Sequence, residues 1–209
     1  MRYHIVPVTP LVQNCSVVWC TETGVGAVID PGGDAARIMA AAGEVGVTVT
    51  HVLLTHGHID HVGAAGAVSA ATGAEIWGPE RGDRFLMELL PQQAELFGLE
   101  LAVPFAPHRW LSAGDSVRFG SVELAVLHCP GHTPGHVAYH CAAAATVFTG
   151  DVLFRGSIGR TDLPGGDHAA LLNSIRRQLW PLGDDTVFVP GHGPAGRLGE
   201  ERRANPFLG

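Results

Sequence analysis

The sequence is short of positive charge. It holds 13 lysines and arginines against 20 aspartates and glutamates, a net charge of −7 with histidine neutral. Nothing in it forms a basic patch, which excludes a nucleic-acid backbone as the expected partner. It also lacks a long apolar run. No stretch approaches the ~18 apolar residues of a membrane-crossing helix, so no membrane partner is expected. The start, M-R-Y-H-I-V-P-V, has no charged segment followed by an apolar stretch, so no secretory leader is expected.

Cysteine is scarce as well. Cys15, Cys20, Cys129 and Cys141 form no C-x-x-C pair. Four thiols are thin for a disulfide framework in a chain of 209 residues. The expectation is a cytoplasmic protein with reduced thiols, each a small buried apolar residue. There is no repeat of fixed period and no low-complexity linker. With 46% apolar and 16% charged residues, the chain reads as one globular domain over residues 1–209.

What is present is a succession of short apolar runs separated by turn residues. Strands are expected at 3–8, 15–20, 25–29, 47–54, 74–77, 121–127, 145–148 and 186–189, from β-branched content and flanking glycine and proline. Asp34 is expected to cap a helix, A-A-R-I-M-A-A-A-G, that Gly43 closes. A small-residue helix is expected from Val62 to Gly73. Residues 80–98 read as helical with a break at Pro91, and 168–179 as an amphipathic helix. Strands and helices mix throughout, so the class is α/β or α+β with layered sheets.

Histidine is where the sequence becomes specific. Residues 55–61 read T-H-G-H-I-D-H, directly behind an apolar strand. Three more strands end in loops that carry His132, Asp151 and His192. Strands are rigid rails, and loops at their ends can aim side chains at one point. Neutral imidazoles with carboxylates suit zinc, iron or manganese. His56 and His58 are two apart and point the same way in extended backbone, whereas Asp60 and adjacent His61 diverge from them. Two metals fit better than one. His56, His58 and His132 would hold the first, Asp60, His61 and His192 the second, and Asp151 would bridge them.

T-H-G-H-I-D-H, with H-C-P-G-H-T-P-G-H, T-G-D and P-G-H-G downstream, resembles the metallo-β-lactamase-fold hydrolases over essentially the whole chain. Within them, G-D-V-L-F-R-G-S-I-G-R-T-D-L-P-G-G-D and E-E-R-R-A-N-P-F-L are similar to the glyoxalase II branch and its single-domain YcbL-type members. The resemblance implies an α+β fold, an αβ/βα four-layer sandwich of two mixed β-sheets flanked by helices. It implies the same seven metal ligands; for the two divalent ions, the affinity order favours zinc over iron or manganese at equal availability. Full-length glyoxalase II adds a C-terminal helical domain with basic side chains for glutathione, and no such domain is expected within these 209 residues.

The chemistry expected of such a site is thioester hydrolysis. Two cations lower the pKa of a water between them toward neutrality, giving a hydroxide nucleophile. Asp60, a ligand with a spare oxygen, would orient it and is the catalytic candidate. A thiolate leaves without a strong general acid (free-thiol pKa ~8.5). The expected substrate is a small acyl-thiol such as a hydroxyacylglutathione. The alternatives are a persulfide dioxygenase with one iron on His56, His58 or His132 and Asp151, and a lactonase of the same fold. His136 is a candidate to support a ligand, Arg160 and Asp162 to pair with each other, and segment 84–97 to pack as ordinary helix.

Overall fold

The computed structural model describes residues 1–100 and 102–208; Gly209, the expected domain end, lies outside the described residues. The first sheet has strand order β1 (Arg2–Val8), β2 (Gln13–Trp19), β3 (Val25–Ile29), β4 (Thr48–Leu53) and β5 (Glu75–Trp77). Its first two pairings are antiparallel and its last two parallel. The second sheet is built from β6 (Ser116–Phe119), β7 (Val122–His128), β8 (Val137–Cys141), β9 (Thr146–Gly150), β12 (Val187–Pro190) and β13 (Gly196–Arg197), in the order β13-β12-β9-β8-β7-β6. Only β9 and β12 pair in parallel there. A small hairpin, β10 (Leu153–Phe154) with β11 (Ser157–Ile158), stands apart.

The apolar runs have a simple cause. A strand buried on both faces needs apolar residues at successive positions rather than alternate ones. Val18, Ala27, Ile29 and Leu53 of the first sheet meet Leu124, Val126, Tyr139, Phe148 and Val189 of the second in a central core. Their neighbours Val17, Val28 and Val52 face outward onto α1 (Ala35–Glu44), α2 (Ile59–Val62) and α3 (Ala65–Thr72), through Ile38, Val62 and Val68. On the far side, Val147 and Phe188 face α6 (His168–Ser174) and α7 (Leu198–Ala204), through Leu171 and Leu198. The layers are therefore helix, sheet, sheet, helix, as expected. The Tyr139 hydroxyl ties the two sheets by donating to the Leu54 carbonyl at 2.6 Å.

Four local expectations need correction. Asp34 stands at the N-terminus of α1, yet its side chain does not cap the helix. Its carboxylate accepts the Thr9 amide at 2.9 Å instead. Gly43 does not close α1, which runs on to Glu44. The small-residue helix divides into α2 and α3, and only its end at left-handed Gly73 is as expected. Segment 84–97 forms α4 (Arg84–Glu88) and α5 (Leu90–Phe97), with Pro91 in the first turn of α5, where a missing N–H costs nothing.

Candidate metal centre

The seven candidate residues arrive from four strand ends on one edge of the sandwich. Beyond β4 the chain bends at Thr55 and His56, and from His58, which is extended, it turns into α2 with Asp60 and His61. His132 follows β7, Asp151 directly follows β9, and His192 follows β12 by two residues. Gly32 lets the chain after β3 press on this turn, since a Cβ there would lie 1.5 Å from the Asp60 carbonyl oxygen.

The side chains converge in two groups. His56 Nε2 and His132 Nε2 each lie 3.0 Å from His58 Nδ1. In the second group Asp60 Oδ2 lies 3.1 Å from His192 Nε2 and 3.7 Å from His61 Nε2. Asp151 stands between them. Its Oδ1 is 3.4 Å from His61 Nε2, and its Oδ2 is 3.7 Å from His132 Nε2 and 3.8 Å from His192 Nε2.

Outer hydrogen bonds set which ring nitrogen faces inward. Nδ1 of His56 donates to Thr55 Oγ1, that of His61 to Asp30 Oδ2, that of His132 to the Arg160 carbonyl and that of His192 to the Leu11 carbonyl. Each bond turns Nε2 toward the cluster. His58 alone presents Nδ1.

Two atoms test whether cations fit. His61 Nε2 and Asp151 Oδ1 are buried and have no hydrogen-bond partner. His58 Nδ1 carries one proton at most and can donate to only one of the two Nε2 atoms 3.0 Å from it, whereas a cation would satisfy all three nitrogens. Five imidazoles and two carboxylates are a donor set for borderline divalent ions. The residues fit two such ions.

The groups differ electrically. Burial, helped by neighbouring imidazoles, holds His56 and His132 below the usual histidine range and pushes His58 down to about 3. The first group is therefore neutral nitrogen. In the second, burial opposes charge on His61, but Asp151, Asp60 and Asp30 together push its pKa up to about 10. Burial likewise raises Asp60, and His61 and His192 overcome it, leaving the carboxyl well below its usual range. This half of the site attracts positive charge.

The supporting candidates fall as follows. His136 stacks on His56 with ring centroids 4.7 Å apart, and its Nε2 accepts the Asp151 backbone amide at 3.1 Å. It reaches a candidate ligand through the main chain. Arg160 and Asp162 pair through two bonds of 2.7 Å, as expected. Segment 84–97 buries Leu86, Met87 and Leu90 as packing, while Phe97 lines the site. His4, His51, His108, His128, His140 and His168 join none of the groups of ligand atoms. All four cysteines are free and buried.

Sequence reading missed Asp30, Asp83 and Gln93. Asp30 directly follows β3, and a carboxylate behind an apolar strand is the available signal. Asp83 accepts from Gly57 N, Thr133 Oγ1 and Gly135 N. Gln93 accepts the Ile59 amide at 3.0 Å and donates to the Leu86 carbonyl at 2.8 Å. Together they hold the backbone between His56 and Asp60 from the α4–α5 side.

A family model described as the metallo-beta-lactamase superfamily matches residues 8–192, a range that contains all seven candidates. The chain belongs to this superfamily. It is 46% identical to hydroxyacylglutathione hydrolase GloC of Haemophilus influenzae, over all of this chain and 98% of that one. Among solved structures it is similar to BLEG-1 B3 metallo-beta-lactamase, with TM-score 0.91 and 35% identity over 99% of each chain. It is also similar to TTHA1623 in a di-iron-bound form, with TM-score 0.89 and 40% identity over 98% of this chain and 100% of that one. Among the described residues no helix is long and apolar enough to cross a membrane.

Proposed function

We propose that the chain hydrolyses hydroxyacyl-thiol esters, lactoylglutathione among them, at a centre for two divalent cations. The observation that carries this reading is the Asp151 carboxylate, placed between two complete groups of inward-facing ligand atoms. The printed name of the Haemophilus influenzae relative supports the substrate class.

His56, His58 and His132 would hold one ion, Asp60, His61 and His192 the other, with Asp151 common to both. Such a pair supplies Lewis acidity and water activated near neutral pH. Asp60 has Oδ2 turned toward His192 and would use its second oxygen to orient the attacking water. The water oxygen would join the acyl carbon and the C–S bond would break, giving a carboxylate and a thiol, with one water proton passing to the sulfur and the other to solvent. Among the described residues, the cavity beside the ligands offers only Ser157 and Arg160 as further polar side chains. Neither is a strong acid, which suits a thiolate leaving group and not an amine.

Zinc is the proposed resident ion on ligand chemistry, and iron is the competitor that the di-iron-bound relative raises. The four buried, unpaired thiols support a reducing, cytoplasmic setting. The central core shared by the two sheets supports one domain over residues 1–209.

The test is thiol release from S-lactoylglutathione by the metal-loaded protein. Turnover that disappears in His58→Ala is the expected result. Oxygen uptake with glutathione persulfide, without thioester cleavage, would hand the site to a one-iron dioxygenase.

A further inference from the structure

The candidate centre opens into a cavity of about 480 Å³. Apart from the ligands, its walls are mainly Leu11, Phe97, Phe154, Ile158 and Leu163. Among the described residues the one basic side chain that lines it is Arg160, and Asp162 already takes that guanidinium with two bonds of 2.7 Å. The wall thus presents apolar surface and no uncompensated positive charge.

These facts bear on how a thioester would lie. Its carbonyl has to reach the ligand cluster, which shares the cavity with the apolar side chains. A charged carrier drawn in alongside would lose water without gaining a counter-charge, which is unfavourable. An apolar substituent on the acyl group would gain by leaving water. Leu11 and Phe97 are 42% and 37% exposed, a large apolar area for a substrate to cover.

We propose that Leu11, Phe97, Phe154, Ile158 and Leu163 form an acyl subsite that selects aryl or branched apolar substituents and leaves the thiol carrier in solvent. The inference rests on the thioesterase reading for its chemistry and adds the determinant of substrate choice. Leu11 acts here through its side chain, while its carbonyl holds His192.

The experiment compares S-mandeloylglutathione with S-lactoylglutathione on the metal-loaded protein. The two share carrier and charge and differ by a phenyl in place of a methyl group. The expected kcat/KM ratio favours mandeloyl by about tenfold or more. In the double variant Leu11→Ser, Phe97→Ser the ratio should fall toward one. Leu96→Ser, at a 75% exposed position that does not line the cavity, should leave the ratio where it was. A wild-type ratio at or below one overturns the subsite. Calorimetric binding of mandelate and lactate separates this from failure of the thioesterase reading. If neither thioester is cleaved, that reading falls. Tighter mandelate binding, lost in the double variant, would still support the subsite, and equal binding would sink it.

Discussion

His61 Nδ1 donates to Asp30 Oδ2 at 2.9 Å, and both side chains are buried. The same oxygen accepts from Thr55 Oγ1 at 2.6 Å, while Asp30 Oδ1 takes the Thr55 amide. Asp30 thus fixes the ring of a candidate ligand and the entry to the histidine-rich loop together. Removing such a partner costs about 10–100-fold in metal affinity. Asp30→Ala should show a loss of that size for the weaker-held ion, read by competition with a chromophoric chelator. Unchanged affinity for both ions would mean that His61 needs no orienting group.

Asp83 gives a stability prediction. Its carboxylate accepts three hydrogen bonds from the chain around Gly57 and Gly135. Asp83→Ala leaves three buried donors unpaired, at about 3 kcal/mol or more. Chemical denaturation measures this directly.

The same residue gives a pH dependence. Burial outweighs the three hydrogen bonds and pushes the Asp83 carboxyl up to about 6. The folded value lies above the unfolded one, so its contribution is present in acid and lost as pH rises. Relative to Asp83→Asn, which does not titrate, the wild-type chain should lose about 2–3 kcal/mol between pH ~4 and ~6. A constant difference between the two denaturation profiles across that window would refute the assignment.

Gly191 tests the second group by steric means. A Cβ there would lie 2.2 Å from Asp151 Oδ1 and 2.5 Å from His61 Cε1. Gly191→Ala should displace one of these side chains and lower the bound metal from about two ions per chain to about one, since a structural fourth ligand is lost. Circular dichroism would check that the variant is folded. Full occupancy in a folded variant would show that neither side chain is a ligand there.

The site was legible because its signals are local. T-H-G-H-I-D-H packs four donor residues into one turn, and each remaining donor follows an apolar strand by a few residues. The β3 strand, Val25–Ile29, was readable to the residue, because glycine and a D-P-G-G turn bound it. Long-range partners were not legible. Asp34 has the chemistry of a helix cap, but Thr9, 25 positions away, takes its carboxylate. Asp83 and Gln93 look like ordinary helix residues until the fold brings them to Gly57 and Ile59. Five strands were also missed: β8, Val137–Cys141, is enclosed by a proline-glycine loop and an alanine run, β6, Ser116–Phe119, is four residues long, and β10, β11 and β13 are two residues each.

The central claim is that two divalent ions share the Asp151 carboxylate. Metal content per chain by mass spectrometry, on protein purified without added metal, tests it most directly. The account predicts about two divalent ions per chain, the number for which the two ligand groups are built. A single ion, iron, with Asp60 and His192 both dispensable for its binding, would contradict it.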